Sequence, residues 1–349
     1  LGSIVYHNKL GTQLQRVERV RAVARGVAQA LGADAQAADR AALLAKADLG
    51  TLMVGEFPEL QGVMGAYYAE ADGEAPDVVR ALREQYRNRL DAAVDRDGLT
   101  MAALFIAERA ETLVGIWSIG LAPTGERDPY GLRRAALGLI SAFEQLAAGG
   151  WLKPSENGPL TLQQVLQLAA DSFGPGQIAD SVTSEVGDFI YERYRNQLAV
   201  EFERNSVDAV IALAPPLHQV AARVRAVTAF GALPEAASLA AANKRVGNLL
   251  KKAEGDIGAV DSARLQEPAE RALAQAIERL SPRAQSQFDA GDFAGSLSTL
   301  AQAREPVDAF FADVMVMADD PAVRANRLAL LGELHGLMNK VADISRLAQ

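Results

Sequence analysis

The chain has no cysteine and only three histidines in 349 residues. Without cysteine there is no thiolate zinc site, no thiol nucleophile and no disulfide framework, and nothing marks an oxidising compartment. His7, His218 and His335 are too far apart in sequence to form the compact cluster of a zinc hydrolase. Metal chemistry would fall mainly to carboxylates. No run approaches the roughly 18–20 consecutive apolar residues of a membrane helix. Residues 1–10 are short, partly polar and carry Lys9, unlike a secretory leader. The start lacks Met and enters at once on ordered-looking sequence, which points to a piece of a longer polypeptide.

Excess positive charge is also missing. Thirty-five Lys+Arg face 44 Asp+Glu, a net charge of -9, and the pI is about 5.1. Binding of nucleic acid through bulk charge is disfavoured, while a local basic surface on an acidic chain stays open. Arginine outnumbers lysine 28 to 7, which reads either as a preference for bidentate phosphate contacts or as a coding bias toward Ala, Gly and Arg. The length allows two or three domains.

What is present is helical periodicity from end to end. From Ala325 onward Leu328, Leu330, Leu331, Leu334, Leu337, Met338, Val341 and Ile344 recur at three- and four-residue spacing, a buried stripe on one long helix. Similar patterns cover Leu14 to Leu31, Ala37 to Met53, Leu99 to Leu121, Leu132 to Leu146, Val182 to Phe202 and Leu233 to Leu250. Alternation between hairpin turns is absent, so the expected fold class is all-α. Glycine- and proline-rich breaks at 149–159 and 174–176 bracket a short helix and place a domain boundary near 175–185, giving domains 1–180 and 181–349.

Two segments stand out. Asp128-Pro129 is a helix start, with Asp128 as N-cap and Pro129 at the first helical position, which puts Arg133 and Arg134 one turn in. The run Asp48 to Gly62 mixes glycines, Pro58 and carboxylates into helical sequence. Pro58 must kink or restart the helix, a costly choice that points to a specific packing or contact role.

These segments carry a resemblance. Lys46 to Gly65, Leu113-Val114-Gly115-Ile116, and Pro123-Thr124-Gly125 through Asp128-Pro129 to Leu132-Arg133-Arg134-Ala135-Ala136-Leu137-Gly138 resemble the β subunit of the bacterial heterotetrameric glycyl-tRNA synthetase. Pro306 to Met317 and Arg324 to Leu331 look like the closing helices of that subunit's anticodon-binding domain, which is similar to the one in arginyl-tRNA synthetase. The resemblance spans essentially the whole chain, as its C-terminal half. It implies an HD-like helical domain followed by an anticodon-binding helical bundle, tRNA-Gly and the α subunit as partners in an α2β2 heterotetramer, and a cytoplasmic location away from any membrane. It assigns ATP, Mg²⁺ and glycine activation to the α subunit, so this chain alone would hold no cofactor and catalyse nothing.

In the HD superfamily a His, a His-Asp doublet and a distant Asp hold the metal. By resemblance His7 takes the first place, Ala45-Lys46 the doublet and Glu108 or Glu111 the final acid. Lys46 would repel a divalent ion, so the metal site is expected to be degenerate and phosphohydrolase activity lost.

Local charge locates the candidate tRNA contacts. Residues 80–96, with Arg80 and Arg87, carry +2, and residues 232–252, with Lys244, Arg245, Lys251 and Lys252, carry +3. Phosphate contacts there would position tRNA in a salt-dependent way; solvated helix faces are the alternative. Arg133 and Arg134 join this set. Arg324, Asn326 and Arg327 are candidates for base edges, or for bracing the bundle. Phe310 and Phe311 either stack bases or fill the core. His335 sits beside Leu331 and Met338 on the apolar stripe as a packed core or boundary histidine. A scaffold that docks the α subunit with little RNA affinity of its own is the competing function.

Overall fold

The structure, a computed structural model, describes residues 1–153, 158–253 and 255–348. Part of the expected break at 149–159 therefore lies outside the described residues. Among the described residues the fold is all-α apart from one two-stranded hairpin, and no described helix is long and apolar enough to cross a membrane. The chain divides into two compact units, residues 1–194 with 216–218, and residues 195–215 with 219–349. The division falls inside a helix, Ser181–Leu198, that runs on from the expected boundary region.

The first unit opens with the hairpin that periodicity did not reveal, β1 (Val5–His7) against β2 (Gly11–Thr12). Three residues and two are too short to show alternation. Thr12 then caps α1 (Gln13–Ala30) in a reciprocal box with Gln15. Val17, Val20, Val23 and Val27 of α1 are buried, and the helix packs on α2 (Ala35–Leu44).

The expected helix 37–53 is broken. Residues 47–50 form a 3-10 turn because the Asp48 carboxylate turns inward, accepting from the Gly62 amide at 2.6 Å and the Gly65 amide at 3.0 Å. Helix α3 (Leu52–Glu56) follows, Pro58 opens another 3-10 turn, and Gly62 at φ 82° leads into α4 (Val63–Ala71). Only glycine accepts that φ without strain. The odd composition of 48–62 thus folds a tight loop around one buried carboxylate.

Helix α5 (Pro76–Glu84) packs on α6 (Leu99–Ser118), the centre of the unit. Sixteen of the twenty residues of α6 are buried, as expected of a helix covered on every side. Against it lie α1, α2, α7 (Leu132–Ala148) and α8 (Leu162–Asp171). α7 starts later than the sequence implies: Gly131 takes a left-handed conformation (φ 67°), and the helix begins at Leu132. Asp128 still caps it, its carboxylate accepting from the Leu132 and Arg133 amides. The long helix at the division of the two units is α9 (Ser181–Leu198).

The second unit contains α10 (Arg204–Ile211), most of α11 (Leu217–Gly231), α12 (Ala236–Lys251), α13 (Pro268–Asp289), α14 (Phe293–Ala301), α15 (Arg304–Asp313) and α16 (Pro321–Met338). α12 packs against α15, α16 and the 3-10 turn 344–347, and α13 against α14 to α16. All eight residues of the expected C-terminal stripe are buried, although the helix ends at Met338. Burial of each large apolar side chain contributes roughly 1.5–3 kcal/mol.

Candidate nucleic-acid interface

Charged side chains in the apolar centre of the first unit create its most distinctive site. α6 carries Glu108, Arg109 and Glu111 within an otherwise apolar helix, and α1 carries Arg16 in its valine stripe. Burial of such groups is tolerated only with partners. Arg16 Nε lies 2.9 Å from Glu111 Oε2, Arg19 Nε lies 2.9 Å from Glu111 Oε1, and Arg16 Nη2 donates to Thr112 Oγ1 at 2.9 Å. Lys46 Nζ lies 2.8 Å from Glu108 Oε1 and donates to Gln85 Oε1 at 2.7 Å and Tyr86 OH at 2.9 Å. Burial pushes the Glu108 carboxyl up, but Lys46 and Arg16 outweigh it and hold the group below its usual range.

The resemblance-implied places for the metal doublet and the final acid therefore do meet in space, as an ion pair. His7 is elsewhere engaged: its Nδ1 accepts from the Lys9 amide at 3.1 Å and its ring lies edge-on to Tyr130. A divalent ion does not fit, because the Lys46 ammonium stands at the acid. Among the described residues no group of three or more His, Asp or Glu side chains could hold a metal.

Beside this network opens a cleft of about 300 Å³. Its cationic lining is Arg16, Lys46, Arg87, Arg109 and Arg134, and its one carboxylate is Glu108. Two expected tRNA contacts, Arg87 and Arg134, are thus brought together. Arg87 is paired with Glu84 and Asp91 on the surface, whereas the exposed Arg134 side chain makes no hydrogen bond or ion pair with another described residue. Arg133 turns away to the Gly125 carbonyl. Arg80 is held by Glu84 at 3.2 Å and Asp95 at 3.0 Å, as in a solvated face.

In the second unit, α12 presents Lys244, Arg245 and Lys251, and Lys252 caps its C-terminus, all four exposed. Spacings of seven and eight residues return the cations to one side of the helix. Lys244, Lys251 and Lys252 form no ion pair with a described residue. Lys251 and Lys252 complement the helix dipole at the C-terminus, worth about 0.3–1 kcal/mol; Lys244 and Arg245 lie too far back for that account. The Arg245 guanidinium lies 4.6 Å from the centroid of Phe311, which is half-buried beside the fully buried Phe310. Phe310 is core, and Phe311 with Arg245 forms a partly accessible cation–aromatic pair.

The remaining candidates brace the bundle. Asn326 accepts from the Asp261 amide at 2.7 Å and donates to the Asp261 carbonyl at 3.0 Å. Arg327 is buried, pairing with Glu270 and donating to the Met315 carbonyl at 2.7 Å. Arg324 donates to the Ala318 carbonyl at 3.0 Å. Asn326 and Arg327 are both buried, and these hydrogen bonds and the ion pair tie them to residues of their own unit. Sequence reading missed Arg16 and Arg109 as members of the first site. The available signal was their position inside apolar stripes.

Comparison with known proteins bears on both units. The family described as glycyl-tRNA synthetase beta subunit matches residues 1–212, and the DALR anticodon binding domain matches residues 239–344. The glycine–tRNA ligase beta subunits of Ralstonia nicotianae and Thiobacillus denitrificans are each 51% identical to the chain, over 350 and 356 positions. That of Neisseria gonorrhoeae is 47% identical over 350 positions. Each alignment covers 100% of this chain and 49% of the relative, so the chain spans about half the length of the curated relatives it matches.

Proposed function

The chain belongs to the glycyl-tRNA synthetase beta subunit family, and from that premise we propose that it is the tRNA-recognition part of a glycine–tRNA ligase β subunit. It binds tRNA-Gly for aminoacylation by a separate α subunit, which uses ATP and Mg²⁺, in a cytoplasmic α2β2 enzyme. The first unit is an HD-like helical domain whose metal place is filled by the Lys46–Glu108 pair. The second is the anticodon-binding bundle.

One observation supports this reading above the others: the row of cations on α12, unpaired among the described residues, lies within the segment matched by the anticodon-binding family. Phosphates are the natural counter-ions of such a row, and the Arg245–Phe311 pair beside it suits an unstacked base. Steady-state aminoacylation by the reconstituted enzyme tests it. Replacing Lys244, Lys251 and Lys252 together by Ala is expected to raise the apparent KM for tRNA-Gly about tenfold or more, with kcat little changed.

A second reading, α-subunit docking, is favoured by a different feature. Leu52, Met53, Phe57, Val63 and Tyr67 are exposed within residues 52–68, Leu52 at 93%. Apolar side chains concentrated in this way mark a protein contact more often than a bare surface. If docking is the chain's whole role, the α12 variant leaves the tRNA KM unchanged, while Leu52→Asp weakens assembly with the α subunit.

A further inference from the structure

The cleft of the first unit holds positive charge that its own carboxylate does not balance. Lys46 is neutralised in place by Glu108, and Arg16 by Glu111. Arg109 and Arg134 are not. Arg109 gives its N–H groups to the carbonyls of Phe105, Gln85 and Arg87 and forms no ion pair with a described residue. Burial pulls its pKa down to about 10, with Glu108 opposing and Arg16 adding to the fall. A half-buried guanidinium with carbonyl partners but no ion-pair partner is costly.

Arg134 is also badly placed for stability alone. It lies with Arg133 in the first turn of α7, which contains no acidic residue, at the helix end where the macrodipole disfavours cations. Two glycines make room for the pair. A Cβ on Gly138 would come within 2.6 Å of Arg109 Nε, and one on Gly131 within 3.0 Å of Arg134 Nη2. At the rim stand Tyr86, 42% exposed, and Tyr130, 39% exposed. Tyr86 is held by Lys46, whose Nζ is 4.1 Å from the ring centroid. The cleft volume, about 300 Å³, is at the small end of ligand sites.

We propose that this cleft is a phosphate site for a nucleotide unit: a phosphoryl group sits between Arg109 and Arg134, and the rings of Tyr86 and Tyr130 face the attached base or sugar. Arg134 supplies charge-assisted hydrogen bonds that suit phosphate geometry, Arg109, its terminal N–H groups held by carbonyls, adds positive charge beside them, and a tyrosine face stacks on any base. The Lys46–Glu108 pair is a positioning element that fixes the floor and Tyr86. The phosphate belongs either to a free mononucleotide or to an RNA backbone; the second source rests on the tRNA-recognition reading above.

The test measures binding to the full chain by calorimetry with adenosine 5′-monophosphate and adenosine, and by fluorescence anisotropy with tRNA. Wild type is compared with Arg134→Ala, whose exposed side chain can be removed without opening the core, and with the α12 triple variant. A thermal melt verifies that each is folded. A free-nucleotide site binds the monophosphate at least tenfold more tightly than adenosine, loses that preference in Arg134→Ala and keeps it in the α12 variant, whatever tRNA does. An RNA-backbone site leaves the monophosphate unbound, while Arg134→Ala weakens tRNA binding severalfold and lowers its salt dependence by the equivalent of about one phosphate. Absence of tRNA binding together with retained monophosphate binding contradicts the tRNA reading and leaves the phosphate site standing. A folded Arg134→Ala protein that matches wild type toward both probes overturns the proposal.

Discussion

Lys46 Nζ lies 2.8 Å from Glu108 Oε1, and both side chains are buried in the centre of the first unit. The pair occupies the positions at which the HD resemblance would put a metal doublet and its distant acid. A lysine here does what a metal ion would otherwise do electrostatically: it neutralises the α6 carboxylate and ties α6 to the segment after α2. With the ammonium in place, the carboxylate is already neutralised and the pair forms a charged floor.

Lys46→Met leaves Glu108 with the more distant Arg16, whose Nη1 is 3.8 Å away, as its ion-pair partner among the described residues. The expected loss of stability is about 3–5 kcal/mol, the usual cost of leaving a buried charge unpaired, while removing both partners together is far milder. Urea unfolding of Lys46→Met, Glu108→Leu and the double variant measures the coupling. A double variant as unstable as the sum of the singles would contradict a direct pair.

Acid should unfold the chain through its buried carboxylates. Glu108 is held below the usual carboxylate range. So is Glu270: burial raises it, but the Arg327 hydrogen bond and the Glu267 and Gln266 amides lower it further. A carboxyl depressed in the folded state contributes stability that is complete above its unfolded pKa, about 4.3 for Glu, and is lost as pH falls through the folded value. Stability should be flat near neutrality and fall steeply below about pH 4. Glu270→Gln, monitored by denaturant midpoint against pH, should cost about 3 kcal/mol at neutral pH and flatten the acid limb.

Asn326→Ala distinguishes bracing from base reading. Its amide satisfies both backbone groups of Asp261, so its loss should destabilise the second unit by about 1–3 kcal/mol. At a temperature where the variant remains folded, the ratio of affinities for tRNA-Gly and an unrelated tRNA should match wild type. A changed ratio with unchanged stability would place Asn326 on a base edge instead.

The all-α class and the apolar stripe of α16 were legible from apolar spacing, because burial of one helix face leaves a period that sequence preserves, and the helix between the two loop-rich breaks was legible from the glycines and prolines that bracket it. The broken segment after α2 was legible only as an anomaly, since the inward turn of Asp48 and its two amide partners depend on contacts across the loop. The candidate site was legible in part. Local charge picked out the exposed α12 row and the Asp128-Pro129 helix start picked out Arg134, but neither signal could separate Arg80 and Arg87, paired on their own surface, from free cations. Donor chemistry on the C-terminal helices placed Asn326 and Arg327 among the tRNA candidates, and their partners Asp261 and Glu270, more than fifty residues away in sequence, could not be seen there.

The central claim, that the second unit meets tRNA through α12, is tested most directly by equilibrium binding of tRNA-Gly and an unrelated tRNA across a salt series. Wild type and the Lys244→Ala, Lys251→Ala, Lys252→Ala triple variant are compared at each salt concentration. The account predicts tighter binding of tRNA-Gly by wild type. It also predicts a log–log salt slope shallower by about two to three in the variant, near 0.7–0.9 for each phosphate that is no longer neutralised. Equal affinity for the two tRNAs, or an unchanged slope in a folded variant, would contradict it.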